Sequence, residues 1–267
     1  MKVANILNSR KTWAWPYVLF LVLFVVLPLL LIVVYAFTDP QGNVTIQNFT
    51  KFFTTNEAVN TFIYSIAIAL ITTIICMLLG YPAAYIMAMS SFRTPQVMAM
   101  LFILPMWINF LLRTIATVEL FHMFGIPLGE GALLFGMVYD FLPFMIYPIY
   151  NTLQKMDKSL IEAAHDLGAN RAEVFTKVIL PLSKPGIYSG VIMVFMPTVS
   201  TFAISELLTH NKITLFGSLI QRAFGEGGIQ MWNYGAALSL IMLIIIGATS
   251  FFGQDDNGTD NQKGGML

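Results

Sequence analysis

The stretch WPYVLFLVLFVVLPLLLIVVYAF, residues 15–37, carries no charged side chain. A helix needs about 20 apolar residues to cross the ~30 Å hydrocarbon core of a bilayer. A cleaved signal peptide has a shorter apolar region of about 7–15 residues, followed by small residues at a cleavage site. The stretch therefore predicts an uncleaved first transmembrane helix, preceded by a cytoplasmic N-terminus at residues 1–14.

Five further apolar blocks follow, and together they predict an all-α integral membrane protein with six transmembrane helices. The chain is 57% hydrophobic and only 10% charged, whereas charged residues make up roughly a quarter of a soluble domain. The six-helix domain is predicted over residues 15–252, with a polar cytoplasmic tail at residues 253–267. The blocks are Trp15–Phe37, Phe62–Met89, Val97–Val118, Ala132–Thr152, Gly186–Leu208 and Trp232–Phe252.

The distribution of Lys and Arg predicts that both termini are cytoplasmic. With the N-terminus inside, ten of these residues fall in cytoplasmic segments and three in outside loops, and cytoplasmic loops carry the excess of positive charge. The net charge of zero provides no basic field to attract nucleic acid. A single cysteine, Cys76, excludes a disulfide within the chain. The three histidines fall in or beside loops, and no metal site is predicted.

The longest cytoplasmic connection, with its pattern at residues 157–181, begins as a short amphipathic helix. Asp157 or Ser159 supplies a side-chain oxygen for the first free amides. Gly168 stands where a left-handed residue would end the helix. One apolar face is predicted for Leu160, Ala163, Ala164 and Leu167.

A second short helix is predicted directly after this glycine. Asn170 and Glu173 have the spacing of a capping box, in which each side chain bonds the other residue's amide. The helix is expected to run to about Val178 and to end before Pro181. Two short helices therefore precede the fifth span on the cytoplasmic face.

These residues also form a longer pattern. The pattern consists of Glu162-Ala163-Ala164, three residues, Gly168, nine residues and Val178-Ile179-Leu180-Pro181. It resembles the EAA loop of ABC importer permeases, whose pattern is EAA-x3-G-x9-I-x-LP. Val178 in place of Ile is the one departure. The resemblance implies a type I importer permease whose coupling helix docks on an ATPase; the alternative is an amphipathic helix lying on lipid. The coupling residues so implied are Glu162, Ala163, Ala164, Gly168, Leu180 and Pro181.

A further resemblance concerns the cargo. The segments at residues 104–113, 139–145 and 202–207 are similar to spermidine/putrescine permeases of the PotB type. This implies a PotC-like second permease, a PotA-like ATPase dimer that holds ATP and Mg, a PotD-like extracytoplasmic binding protein and a bacterial inner membrane. The chain has no G-x-x-x-x-G-K-[ST] phosphate loop. We therefore expect no cofactor and no enzymatic activity in this chain itself.

Three carboxylates and two aromatic side chains are candidates for the substrate pathway. Asp140 lies midway along the fourth block, while Glu119 and Glu206 lie near the outer ends of the third and fifth. A charge at the bilayer centre costs about 2.5–3.5 kcal/mol on insertion scales, so it is normally functional. With Tyr139 and Trp107, these carboxylates suit a flexible polycation through charge attraction and cation–π contact.

Each of these candidates also has a structural interpretation. Arg113, in the third block, has the charge to form a structural ion pair with Asp140 or with Glu119. The two outer carboxylates also fit the role of interfacial residues at loop ends, and the two aromatic residues fit a role in helix packing.

Three alternative functions have sequence features of their own. An ABC importer for an amino acid, an oxyanion or iron would share the coupling loop. A secondary transporter would favour inverted repeats or a midplane ion site, and inspection of the sequence reveals neither. An intramembrane enzyme would need a motif such as HExxH or GxSxG, which the sequence lacks.

Overall fold

The computed structural model describes residues 14–89, 97, 100–102, 104–225 and 229–252. The predicted N-terminal segment 1–14, apart from Ala14, and the predicted tail 253–267 lie outside this range. The named helices are α1 (Trp15–Ala36), α2 (Gln47–Thr54), α3 (Asn56–Met89), α4 (Phe110–Met123), α5 (Glu130–Gln154), α6 (Ser159–Asp166), α7 (Arg171–Ser200), α8 (Ala203–Thr209), α9 (Phe216–Gly225) and α10 (Ile229–Phe252).

Five helices in the described ranges are long and apolar enough to cross a membrane, namely α1, α3, α5, α7 and the part of α10 at Met231–Thr249. A sixth span results if Met100–Trp107 and α4, which are bent by 95°, count as one. The predicted all-α membrane fold is confirmed. The connection between α1 and α3 also contains a short helix, α2 at Gln47–Thr54.

Two of the spans contain a π-helical turn shortly before a proline. The turn at Val22–Val26 precedes Pro28 in α1, and the turn at Phe175–Ile179 precedes Pro181 in α7. Proline lacks an amide hydrogen and its ring clashes with the carbonyl four residues earlier, and a π turn locally relaxes the helical hydrogen-bond pattern. The prediction that the second loop helix ends before Pro181 is therefore wrong, because the helix continues to Ser200.

The third predicted span, Val97–Val118, was expected as one helix and is interrupted. The 95° bend separates Met100–Trp107 from α4. Asn109 begins α4, where its side-chain oxygen accepts a hydrogen bond from the amide of Leu111 at 2.8 Å. An N-cap side chain of this kind fixes the start of a new helix within an otherwise apolar run.

The fifth predicted span, Gly186–Leu208, is also not continuous. α7 ends at Ser200, and Thr201 is extended, with φ −67° and ψ 147°. The carbonyls of Ser200 and Thr201 lie directly against Gly217, at a position that a side chain would fill. The close passage of the chain at Gly217 therefore accompanies the break between α7 and α8.

The described residues form two compact units, and the first comes from Met1–Ala58 and Leu219–Ile244. Its core contains Ala36 with Ala236 and Ala237. The side-chain amide nitrogen Nδ2 of Asn233 donates to the carbonyls of Tyr35 at 3.1 Å and Thr38 at 2.8 Å. Since the last carbonyls of a helix lack intrahelical partners, this contact satisfies the C-terminal end of α1.

The second unit comes from Val59–Ser218 and Ile245–Leu267, and α5 packs along α7 within it. Gly186 and Gly190 of α7 lie against Thr152 and Met145 of α5. Small residues at such positions let two helix backbones approach closely. The buried side chains of α5 include Leu133, Met137, Met145, Ile146, Ile149 and Leu153.

We expect Gly186→Ala to destabilise the second unit. An added Cβ would lie 2.6 Å from Oγ1 of Thr152 and 2.9 Å from the backbone carbonyl oxygen of Pro148, and overpacking of this kind costs about 1–3 kcal/mol. The midpoint of thermal unfolding in detergent should fall. Gly247→Ala is the matched control because its Cβ would meet nothing within 4 Å; equal midpoints for the two variants would contradict the expectation.

Candidate functional site

A cavity of about 620 Å³ lies within the second unit, where the start of α4 meets α5 and the break between α7 and α8. Its wall is mostly apolar and aromatic, with a few polar groups, a composition typical of a small-molecule site. The two helix interruptions that hydropathy did not predict both border it. The lining residues are Met106, Trp107, Ile108, Asn109, Phe110, Arg113, Asp140, Phe141, Phe144, Pro197, Ser200, Thr201, Phe202 and Ala203.

A buried ion pair forms part of this wall. The Nη2 of Arg113 lies 3.1 Å from Oδ1 of Asp140, and their side chains are 6% and 2% exposed. The hydroxyl of Thr114 donates to Oδ2 of Asp140 at 3.2 Å. Of the two pairings that the sequence left open for Arg113, the structure contains the one with Asp140. This pairing compensates two charges that would be costly alone in an apolar interior.

The other pathway candidates do not line the same cavity. Trp107 lines the cavity and is 87% exposed. Tyr139 lines a second cavity of about 410 Å³, and its ring centre is 5.7 Å from Cζ of Arg113. Glu119 is exposed and Glu206 partly buried, and neither lines either cavity. Their roles stay predictions.

Several lining residues were missed by sequence reasoning. Asn109 and Thr201 reach the cavity because the chain leaves its helical path there. Phe141 and Phe144 lie close to Asp140 along α5 and also line the cavity. Pro105 and the polar Asn109 inside the third apolar block were the available sequence signals for the interruption.

The coupling segment, residues 157–181, has the local geometry that its capping residues predicted. The amide of Ser159 donates to Oδ1 of Asp157 at 3.0 Å, and this bond holds the pKa of that carboxyl below its ordinary value. Gly168 has φ +84°, the left-handed conformation expected after the first helix. Asn170 and Glu173 form the capping box, with both hydrogen bonds at 3.0 Å. These three local predictions are confirmed.

The predicted coupling residues present two faces. Glu162, Ala163 and Pro181 are exposed, whereas Ala164 and Leu180 are partly buried against the core of the second unit. One side of α6 thus packs against the core of the second unit, and the opposite side is exposed. A polar cleft of about 400 Å³ adjoins α6 and is lined by Tyr85, Met89, Lys158, Ile161, Glu162, His165, Arg171, Val174 and Ile179.

Aromatic contacts anchor the first turns of α7, which are also the last part of the predicted coupling segment. Phe175, in the π-helical turn, has its ring centre 5.9 Å from Tyr81 and 5.5 Å from Tyr85, in edge-to-face geometry. The hydroxyl oxygens of Tyr81 and Ser183 are 3.0 Å apart. Contacts on both sides of Pro181 therefore hold α7 against α3.

The histidines do not join the candidate site. The rings of His122 and His210 are 6.0 Å apart and both side chains are exposed, as is His165 in the coupling segment. Within the ranges that the structure covers, no group of three His, Cys, Asp or Glu side chains has an arrangement suited to a metal ion.

Two solved structures show the same fold. A chain of a bacterial ABC transporter involved in the import of the acidic polysaccharide alginate is similar with a TM-score of 0.72 and 13% identity, over 94% of this chain and 98% of that one. A chain of the MetNI methionine ABC transporter is similar with a TM-score of 0.59 and 18% identity, over 74% and 93%.

Sequence relatives support a closer relationship. The spermidine/putrescine transport system permease protein PotB of Escherichia coli (strain K12) is 34% identical over 250 residues, covering 85% of this chain and 90% of that protein. The PotB protein of Haemophilus influenzae is 33% identical over 267 residues, covering 91% and 92%. A family model described as the binding-protein-dependent transport system inner membrane component matches residues 80–255. The chain therefore belongs to the family of binding-protein-dependent transport system inner membrane components, and it is a multi-pass transport permease.

Proposed function

We propose that the chain is the PotB-type permease subunit of an ATP-driven importer for the polyamines spermidine and putrescine. The observation that carries the cargo assignment is the similarity to spermidine/putrescine permeases over most of the length of both chains. The subunit forms half of the translocation pathway, and a PotC-like permease forms the other half. A PotD-like binding protein delivers the cargo from outside.

The cavity supports a cationic cargo. Asp140 is a buried carboxylate in its wall, and carboxylates form charge-assisted hydrogen bonds with ammonium groups. Trp107 and Phe202 provide aromatic faces in the same wall, and such faces attract cations. The apolar remainder of the lining suits the methylene segments that separate the charges of a polyamine. The cargo thus has complementary surface for both its charges and its carbon chain.

ATP hydrolysis belongs to a separate PotA-like ATPase dimer, which holds ATP and Mg. This chain lacks the phosphate loop that would bind them. The exposed Glu162 and Ala163 of α6 form the surface that docks on the ATPase. ATP binding closes the ATPase dimer and moves α6, and the permease pair opens outward; hydrolysis resets it. Both termini are cytoplasmic, as the ten-to-three distribution of Lys and Arg favours.

We expect Gly168→Ala to reduce ATP-dependent uptake. The backbone at φ +84° is costly for any residue with a Cβ, by about 1 kcal/mol, so α6 would be displaced on the ATPase. Gly42→Ala is the matched control because Gly42 has φ +87°, meets nothing within 4 Å and lies in a predicted outside loop. Equal uptake and equal ATPase co-purification for the two variants would refute the coupling role.

A second prediction concerns Glu162. We expect Glu162→Gln to weaken co-purification of the ATPase and to lower uptake together, because a charge-assisted contact across the interface would be lost. Lys177→Gln is the control, since the exposed Lys177 already pairs with Glu173 of its own chain at 3.1 Å. ATPase binding unchanged by Glu162→Gln would remove this residue from the interface.

The cargo is tested by uptake of labelled spermidine and putrescine into vesicles that contain the complete four-component complex. We expect ATP-dependent uptake, reduced by Asp140→Asn about tenfold or more because a charged hydrogen bond contributes roughly 1.5–3 kcal/mol. Glu57→Gln is the control, since this exposed carboxylate lines neither cavity. An intact, ATP-hydrolysing complex that imports an amino acid, an oxyanion or iron instead would overturn the polyamine assignment.

A further inference from the structure

We propose that Arg113 is an internal competitor for the cargo: it occupies the Asp140 carboxylate in the absence of cargo and moves toward Tyr139 when a cargo ammonium takes its place. This inference rests on the proposed polyamine function. It adds a positioning role for Arg113 that the similarity to other permeases does not supply.

The first supporting observation is where the carboxylate lies. Asp140 is 2% exposed, is part of the wall of the 620 Å³ cavity, and has its charge compensated by Arg113 at 3.1 Å. A cargo ammonium that enters this cavity therefore meets a carboxylate already neutralised by a cation. Binding of the ammonium at Asp140 requires the guanidinium to leave, so entry of cargo is an exchange of one cation for another.

The second observation is that the resident cation is incompletely bonded. The guanidinium carries five N–H donors, yet Nε and Nη1 of Arg113 are buried and have no hydrogen-bond partner within the described part of the chain. Buried polar groups are usually satisfied, and a fully bonded, bidentate pair would be difficult to open. The Arg113–Asp140 contact has the charge attraction of an ion pair but lacks the additional hydrogen bonds at Nε and Nη1 that would hold the guanidinium in place.

The third observation is that a second cavity is available to the Arg113 guanidinium. It lines both the 620 Å³ cavity and the 410 Å³ cavity, whereas Asp140 lines only the larger one. The smaller cavity contains the Tyr139 ring, whose centre is already 5.7 Å from Cζ of Arg113. A guanidinium stacks on an aromatic face. Rotation of Arg113 toward Tyr139 would thus open Asp140 while keeping the guanidinium against a favourable partner.

An exchange of this kind has a consequence for selectivity. An unpaired carboxylate within the membrane is unfavourable, so the guanidinium leaves Asp140 only when another cation replaces it. A neutral or anionic solute offers no such replacement. Arg113 therefore restricts the step to solutes with an ammonium group, and its return to Asp140 would promote release of the cargo.

The direct test is equilibrium binding of labelled spermidine to the assembled permease–ATPase complex without the binding protein. Arg113→Gln removes the competitor, so we expect spermidine affinity to rise about tenfold or more. Asp140→Asn should abolish the gain, and the double variant should resemble Asp140→Asn alone. If the pair is purely structural, both single variants will reduce assembly, the double variant will restore it, and affinity will not rise; that result would overturn the proposal.

A second variant tests the same proposal without opening the ion pair. Tyr139→Leu removes the alternative contact for Arg113, and we expect spermidine binding to weaken roughly two- to fivefold, the range of a cation–π contact. The same substitution in the Arg113→Gln background should have no effect. A loss of equal size in both backgrounds would mean that Tyr139 acts without Arg113, which contradicts the proposal. Tyr139→Phe retains the ring and should weaken binding less than Tyr139→Leu.

Measurements on the wild-type complex distinguish a failure of the proposed function from a failure of the exchange at Asp140. Failure of wild-type vesicles to import any polyamine would refute the proposed function itself. Polyamine import by the wild type, combined with unchanged spermidine affinity in an assembled Arg113→Gln complex, would refute only the exchange at Asp140.

Discussion

Groups buried in the hydrocarbon layer must find their partners inside the protein, because no water reaches them. The Arg113–Asp140 pair follows from this constraint, since each side chain alone would be a costly charge in an apolar interior. At the end of α1, the carbonyls of Tyr35 and Thr38 accept hydrogen bonds from the side-chain amide of Asn233. Pro28 of α1 and Pro181 of α7 each follow a π-helical turn, which relaxes the helix near the position where an amide hydrogen is missing.

The constraint also explains why the cavity lies where it does. Irregular backbone at membrane depth is tolerated where it is buried in protein or borders a cavity. The breaks at Asn109 and Thr201 both border the 620 Å³ cavity. Asn109, Ser200 and Thr201 at these breaks add polar residues to a mostly apolar wall, while α5 contributes the carboxylate from a continuous helix. The site thus combines one rigid charged position with two irregular segments.

Hydropathy and capping patterns predicted the membrane fold and the local structure at Asp157, Gly168 and Asn170 because both depend on local sequence. The length of an apolar block determines whether it can cross, and Asp157, Asn170 and Gly168 act on residues within a few positions. The helix breaks could not be predicted in the same way, since a hydropathy average over Gly186–Leu208 does not register an extended residue at Thr201. Gly217, which lies against that break, is distant in sequence.

The candidate site was predictable in part for the same reason. A carboxylate in mid-span marks Asp140 from sequence alone, and Arg113 was one of few charges available to it. The carboxylate that pairs with Arg113 is determined by the bend before α4 and by the packing of α4 on α5. A local sequence pattern predicts neither of these. Glu119 and Glu206 were grouped with Asp140 by charge and block position, yet they line neither cavity.

The unbroken course of α7 gives the permease a mechanical connection between its two ends. One end begins at the capping box beside α6, and the other ends at Ser200 in the cavity wall. With a rise of 1.5 Å per residue, a helix of 30 residues is about 45 Å long. A tilt of about 5° over that length displaces the far end by about 4 Å. A rotation too small to break any helical hydrogen bond is therefore enough to reshape the cavity wall by more than the diameter of a water molecule.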